Sequence, residues 1–240
     1  MARTGMRSNK RFGVQTMAKP SKHTAPQHHH NAPSPVDLSP FLERPNPLLI
    51  VISGPSGVGK DSVIRRMKEL EYPFHSVVTA TTRPPRQGEK HGVDYLFVST
   101  DEFLDWMRKG ELLEHALVYG EYKGIPKVHI REALASGQDV MMRLDVQGAA
   151  TVKHIAPDAV LIFLIAGSED ELFNRLRQRG TETDEALQRR LAILREEMVR
   201  IADFDYVVVN REGQLDHAVE QVAAIIAAEK CRTKQRVIRL

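Results

Sequence analysis

From Leu48 onward, the chain alternates between two patterns of apolar and polar residues. Short continuous apolar runs predict strands that are buried on both faces. Between them, apolar residues recur at the three- and four-residue spacing of a helix. Alternation of this kind predicts an α/β fold, in which a parallel sheet carries helices on both faces. The predicted strands occupy residues 48–52, 140–146, 160–165 and 206–210.

Several residues mark where helices begin and end. The first helix presents Val63, Ile64, Met67 and Leu70, and capping boxes at Ser99–Glu102 and Ser168–Glu171 begin two others. Pro126 is suited to the start of a further helix. A long helical pattern covers residues 184–202, and a C-terminal helix follows the last strand. The glycines expected to end the helices after Ser99, Pro126 and Ser168 are Gly110, Gly137 and Gly180.

Composition divides the chain into a tail and an ordered part. Residues 1–46 are rich in Pro, Ser, Thr, His, Lys and Arg and lack apolar periodicity, so we expect a disordered basic extension. Residues 47–240 form the predicted domain. The Gly-, Pro- and charge-rich stretch of about 79–125 interrupts the strand–helix rhythm, which predicts a lobe inserted into the sheet domain.

Charge and cysteine content narrow the functional classes. The net charge of +3 comes from the extension, which holds seven Lys/Arg and two acidic residues, whereas the remainder is slightly acidic. That distribution does not match a nucleic-acid footprint, so no nucleic-acid partner is expected. No apolar run is long enough to span a bilayer, so no membrane role is expected. The single Cys231 agrees with a reducing compartment. We expect a cytoplasmic protein, with plastid or mitochondrion as the alternative if residues 1–46 are a transit peptide.

The segment GPSGVGKDS follows the first predicted strand and precedes a helix. A phosphate-binding loop (P-loop) needs backbone N–H groups that curl around phosphate oxygens and glycines that permit close approach. A lysine at this offset reaches the β- and γ-phosphates. The predicted ATP-binding residues are Gly54, Pro55, Ser56, Gly57, Val58, Gly59, Lys60, Asp61 and Ser62.

Asp61 stands where the P-loop pattern has a hydroxyl residue. A carboxylate beside a triphosphate is repelled unless a cation lies between them, which indicates a magnesium role. An acidic residue is also favoured in a helix's first turn, where it need not face the phosphates. Ser62 still offers a hydroxyl one residue later, near the α-phosphate.

The stretch TATTRPPRQGEKHGVDYLFVS, residues 79–99, holds Arg83 and Arg86 around a stiff diproline. Two guanidiniums held near one another suit a bidentate grip on phosphate, and Tyr95 adds a phenolic donor. Two arginines in a loop are, taken alone, more often solvated surface residues.

From about Leu48 to the last helix, the chain resembles guanylate kinases. GPSGVGK, TTRPPRQGE, GVDYLFVS, ELLEHA, LDVQGA and RLRQRGTET occur in order and at compatible spacing. The resemblance implies a nucleoside-monophosphate kinase with a P-loop NTPase-type parallel sheet, a GMP-binding lobe and a helical lid at about 170–200. It implies ATP-dependent phosphorylation of GMP, and of dGMP, in purine nucleotide metabolism, with Mg²⁺ and with a monomer or homodimer as the assembly.

The resemblance also assigns roles to individual residues. Arg83, Arg86 and Tyr95 match residues that hold the acceptor phosphate, and Glu114 and Thr79 match residues that read guanine. Asp145 matches an acidic residue that helps hold the magnesium shell, so Asp61 and Asp145 are the two predicted metal-binding residues. The predicted catalytic residues are Lys60, Arg175, Arg179 and Arg190, and Asn210 is expected near the donor adenine.

Four positions depart from the family pattern. Besides Asp61, Lys123 replaces a phenol expected at the acceptor phosphate, and Ile125 replaces a hydroxyl expected at guanine. Arg143 stands where an aspartate is common. We therefore expect guanine selectivity to depend more heavily on Glu114 and Thr79.

Two alternatives share parts of this pattern. Enzymes that phosphorylate ribose 1,5-bisphosphate also resemble guanylate kinases, and their P-loops are similar to GKDS. A guanylate-kinase-like interaction module would bind protein partners without catalysis. The acceptor stretch with Glu114 argues against the first alternative, and the intact loop with Lys60 argues against the second.

Overall fold

The computed structural model describes residues 38–39, 45–118, 120–178 and 194–240. Backbone contacts divide the chain into two units, Met1–Pro40 and Phe41–Leu240, and all of the following elements belong to the second. The strands are β1 Leu49–Ser53, β2 His75–Ser76, β3 Ala80–Thr81, β4 Leu96–Phe97, β5 Leu112–Val118, β6 Glu121–Pro126, β7 Val140–Arg143, β8 Val160–Ala166 and β9 Tyr206–Asn210. The helices are α1 Lys60–Glu69, α2 Thr100–Arg108, α3 Lys127–Ala135, α4 Val146–Ile155, α5 Glu169–Gln178 and α6 Leu215–Lys230.

A five-stranded parallel sheet in the order β2-β7-β1-β8-β9 forms the centre of the fold. Every residue of β1 is buried, because side chains that alternate along the strand enter two separate cores. Ile50 and Ile52 pack with apolar residues of α1 and α6. Leu49 and Val51 pack on the opposite face with residues of α3 and α4. The predicted α/β fold with helices on both faces of a parallel sheet is confirmed.

A second sheet has the order β4-β3-β6-β5 and is built from residues 80–126. β5 and β6 pair antiparallel, and the register shifts between Leu112 and Glu114. Phe103 of α2 is fully buried against this sheet together with Ala80 and Leu112. The sheet therefore has a small core of its own, apart from the two cores of the central sheet.

Most predicted helix starts are confirmed by their caps. The Ser99 hydroxyl accepts from the Glu102 N–H at 3.1 Å, and the Ser168 hydroxyl accepts from the Glu171 N–H at 3.1 Å. Pro126 is the N-cap of α3. Gly180 and most of the predicted helix at 184–202 lie outside the described residues, although residues 194–199 are helical.

Two predictions at element ends are wrong. Leu70 was expected on the buried face of α1, but it is the C-cap residue and is 45% exposed. The strand expected at 140–146 ends at Arg143, because the Asp145 carboxylate accepts from the Gly148 N–H at 2.8 Å and so caps α4. Helix α4 was not predicted, since its first residue, the buried Val146, extends the apolar run of the strand.

In the part of the chain that the structure describes, no helix combines the length and the apolar character needed to cross a membrane.

Candidate active site

The loop between β1 and α1 has a conformation that requires glycine. Gly54, Gly57 and Gly59 all have positive φ angles, of 128°, 90° and 95°. A Cβ at Gly54 would lie 2.2 Å from the Leu164 carbonyl oxygen, and one at Gly59 would lie 2.4 Å from Asn210 Nδ2. The loop is therefore packed too tightly against the ends of β8 and β9 for any larger residue.

Lys60 folds back over this loop. Its ammonium donates to the Gly54 carbonyl and, at 2.9 Å, to the Pro55 carbonyl. Burial lowers the pKa of Lys60, while the nearby Glu197 carboxylate raises it. These two bonds hold the ammonium against the backbone of the loop.

Asn210 and Arg175 fasten the other side of the loop. The Asn210 side chain donates to the Val58 carbonyl at 2.8 Å, and the Arg175 guanidinium donates to the Asn210 carbonyl at 2.9 Å. Arg175 also pairs with Glu171, one turn earlier on α5. A cleft of about 470 Å³ opens here and is lined by Gly57, Gly59, Ser62, Arg175, Asn210 and Gly213.

A second cleft, of about 450 Å³, is lined by Lys60 itself and is called the central cleft. Loop residues form one wall, and Thr79, Tyr95, Glu114, Lys123 and Ile125 of the second sheet and its loops form another. The structure thus brings three predicted GMP-binding residues, Thr79, Tyr95 and Glu114, to the same cleft as Lys60. The loop residues that line it are Pro55, Ser56, Gly57, Gly59, Lys60 and Asp61.

Glu114 reaches this cleft from the irregular start of β5, where the register shift changes the direction of the strand's side chains. Burial raises the pKa of Glu114, and the neighbouring Asp145 carboxylate raises it further. Oε2 lies so close to Gly148 of α4 that a Cβ there would be 2.2 Å away. The carboxylate is therefore partly desolvated and closely packed.

Arg83 and Arg86 do not line the central cleft. The Arg83 guanidinium makes two 2.7 Å bonds to Glu89 and lies 4.8 Å from the centroid of the Tyr95 ring. Arg83 lowers the pKa of Glu89 to about 2, which keeps that carboxylate charged. Arg86 is exposed, and its backbone N–H donates to Glu89.

The two predicted metal ligands already have protein partners. Asp61 forms an ion pair with Arg143, and Asp145 caps α4. Among the described residues, no three His, Cys, Asp or Glu side chains are grouped as a metal site. Arg179 and Arg190, two of the predicted catalytic arginines, lie outside the described residues.

Sequence reasoning missed residues that act through distant contacts. Glu197 lines the central cleft from the helical segment 194–199, and burial raises its pKa. Glu89 and Gly148 fall inside the motifs TTRPPRQGE and LDVQGA, yet their contacts with Arg83 and Glu114 were not predicted. Local sequence offers no signal for Glu197, which occupies an ordinary position in a helical pattern.

Known proteins resemble this chain in sequence and in fold. The family model described as guanylate kinase matches residues 46–229. Guanylate kinase 2, chloroplastic/mitochondrial, of Oryza sativa subsp. japonica is 52% identical over 84% of this chain and 71% of its own length. The guanylate kinase of Gloeobacter violaceus is 46% identical over 75% of this chain and 87% of its own length. The crystal structure of guanylate kinase from Anaplasma phagocytophilum matches with a TM-score of 0.60 and 28% identity, covering 81% of this chain and 92% of that one.

Proposed function

The chain belongs to the guanylate kinase family and catalyses ATP-dependent phosphorylation of GMP. We propose that the transfer occurs in line, from a nucleotide bound on the loop between β1 and α1 to a nucleotide bound in the central cleft. One observation carries this proposal. The phosphate-binding lysine and the partly desolvated Glu114 carboxylate line a single cleft of about 450 Å³.

ATP is the ligand proposed for the loop side. The glycine-rich backbone between β1 and α1 surrounds its phosphates, and Lys60 leaves the Gly54 and Pro55 carbonyls to contact the β- and γ-phosphates. Ser62 and Asn210 line the neighbouring cleft, which is the proposed place for the rest of the donor nucleotide.

GMP is the ligand proposed for the central cleft. A charged Glu114 accepts from N1–H and the exocyclic amine of guanine, and Thr79 adds a hydroxyl. Adenine presents a different pattern of donors at this edge, so the carboxylate selects against it. The proposed ligands of the acceptor phosphate are Tyr95, Arg83 and Arg86, with Glu89 orienting the Arg83 guanidinium.

Guanylate kinases use a divalent cation with ATP, and we propose that it is Mg²⁺. Mg²⁺ usually keeps several waters and is bound through one or two carboxylates and substrate phosphates, which fits a site without a three-ligand protein cluster among the described residues. Asp145 and Asp61 would hold the ion's hydration shell, and the bound ion would neutralise charge on the β- and γ-phosphates.

Phosphoryl transfer depends on alignment and charge neutralisation more than on covalent help. Lys60 and Arg175, with Arg179 and Arg190 of the predicted lid, are the groups proposed to stabilise the charge on the transferred phosphoryl group. The GMP phosphate is itself the nucleophile, so no side chain has to act as a general base. Closure of the lobe and lid over the nucleotides would exclude water, which otherwise hydrolyses ATP.

A screen of phosphate acceptors tests this function. ATP consumption should be fast with GMP, slower or equal with dGMP, and near background with AMP, UMP and ribose 1,5-bisphosphate. Preferred turnover of ribose 1,5-bisphosphate would contradict the assignment, and ATP consumption that no acceptor increases would favour an interaction module. The variant Glu114→Ala serves as the site control, because unchanged GMP turnover in it would contradict the proposed guanine contact.

The cellular location is a separate proposal. We propose that residues 1–46 direct import into a plastid or mitochondrion, since they are basic and a relative at 52% identity is named chloroplastic/mitochondrial. A fluorescent protein fused behind residues 1–46 should enter an organelle, whereas diffuse fluorescence would support the cytoplasm instead. The monomer or homodimer expected from the sequence stays a prediction.

A further inference from the structure

The cationic side chains that line the central cleft, within the described ranges, are those of Lys60, Lys123 and Arg143. Lys60 belongs to the P-loop. The arginines that the sequence predicts for the acceptor phosphate, Arg83 and Arg86, do not line the central cleft, and the Arg83 guanidinium is bonded to Glu89. Among the described residues, the guanidinium that lines the central cleft is therefore that of Arg143.

Arg143 has a fixed position in the fold. It is the last residue of β7 and lies opposite Ile52 of β1, immediately before the P-loop begins. Its guanidinium pairs with the Asp61 carboxylate in the first turn of α1. The two residues are 82 positions apart in sequence, and each departs from the family pattern at a position that lines the central cleft.

This ion pair is not explained by stability. The Arg143 side chain is 46% exposed and that of Asp61 is 61% exposed, and exposed pairs contribute little to folding. The cationic Arg143 also lowers the pKa of the neighbouring Lys60, so it brings two positive charges close together. Paired cations of this kind are favourable when an anion lies between them.

We propose that Arg143 binds the 5′-phosphate of the acceptor nucleotide and that Asp61 is a positioning residue for its guanidinium. The proposal rests on the proposed function of the central cleft. The planar Arg143 guanidinium, held on one side by the Asp61 carboxylate, can donate its remaining N–H groups to a phosphate oxygen. In GMP binding, Asp61 acts through Arg143 and does not itself contact the acceptor phosphate.

The position of Arg143 favours the acceptor phosphate over the donor. Arg143 lines the central cleft with Thr79, Tyr95 and Glu114, the residues assigned to GMP. It does not line the neighbouring cleft that holds Arg175 and Asn210. Lys123, a further cation that lines the central cleft, lies 6.0 Å from the centroid of the Tyr95 ring.

Calorimetric titration with GMP, without ATP or Mg²⁺, tests the proposal. Arg143→Ala should weaken GMP binding about tenfold or more, the loss expected for a charge-assisted hydrogen bond. Asp61→Ala should weaken it about two- to fivefold, because the guanidinium remains but is no longer held. The double variant should match Arg143→Ala alone, and Arg143→Lys should recover part of the loss because it keeps the charge.

Arg131→Ala is the matched control. Arg131 and Glu111 form a similarly exposed ion pair, at 44% and 42%, away from both clefts, so GMP binding should not change. Thermal melting of each variant checks that the fold is retained. Wild-type affinity for GMP in Arg143→Ala would overturn the proposal. A loss from Asp61→Ala that persists in the Arg143→Ala background would overturn the role of Asp61.

These outcomes are separate from the test of the proposed function. If the wild-type protein turns over GMP but Arg143→Ala binds it normally, only the Arg143 proposal fails. If the wild-type protein neither binds nor phosphorylates GMP, the proposed function fails with it.

Discussion

Replacing Gly148 with alanine should separate stability from function. A Cβ at this position would lie 2.2 Å from Glu114 Oε2, whereas ordinary contact begins at 3.4 Å. The Glu114 carboxylate would therefore have to move by about 1.2 Å, the difference between these distances. The movement itself costs little, because the carboxylate is the far end of a flexible side chain.

We expect Gly148→Ala to fold normally and to melt about 1 to 4 °C higher, because alanine in a helix is favoured over glycine by about 0.5–1 kcal/mol. Misplacement of a positioning group by about 1 Å costs up to about 100-fold in activity. The KM for GMP should therefore rise about 10- to 100-fold, while the KM for ATP stays near its wild-type value. A coupled assay of ADP formation, run beside thermal melting, measures both effects.

Thr151→Ala is the control, since Thr151 is exposed on the same helix and its replacement also raises helix propensity. It should leave the KM for GMP unchanged. The reasoning is refuted if Gly148→Ala keeps the wild-type KM, or if it weakens GMP use equally in a Glu114→Ala background, where there is no carboxylate to displace.

Three further predictions concern charged groups. Burial raises the folded-state pKa of Glu114, so ionisation of this carboxyl lowers the stability of the protein as pH rises above the usual pKa of 4.5. Glu114→Gln should therefore melt at a higher temperature than wild type at pH 7, and the difference should vanish near pH 4. The same variant should use GMP poorly. Arg236→Ala should lower the free energy of unfolding in denaturant by about 3 kcal/mol, because the fully buried Glu229 carboxylate, whose pKa Arg236 helps lower to about 2, loses its two hydrogen bonds to this guanidinium and keeps only the Tyr206 hydroxyl and the more distant Arg232. Arg232→Ala, which removes an exposed side chain, should cost about 1 kcal/mol or less. Lys60→Ala should lower kcat about 100- to 1000-fold or more in the coupled assay without lowering the melting temperature, and retained turnover would contradict the assigned role.

The Glu229 carboxylate also carries a pH signature. Its folded-state pKa is below the usual value, so the stabilisation is present above about pH 4.5 and is lost as pH falls toward 2. The Arg236→Ala protein should therefore differ most from wild type at neutral pH and least in strong acid.

The sequence alone determines four of the five strands of the central sheet and the P-loop. Both depend on short-range information: a continuous apolar run is buried on either face, and glycines at fixed spacing allow positive φ angles. Caps such as Ser99 and Ser168 are similarly local, since their partners lie three residues away. For these features, residues close in the sequence are sufficient to determine the local structure.

Only the tertiary structure decides which charged groups meet. Asp61 and Arg143 form a pair because parallel pairing places the end of β7 beside the start of the P-loop. Glu114 enters the central cleft because the register of β5 shifts and because Gly148 of helix α4 leaves room for the Glu114 carboxylate. Hydrophobic periodicity fixes which face of an element is buried, but it carries no information about the partner across a cleft, and electrostatic contacts depend on that partner.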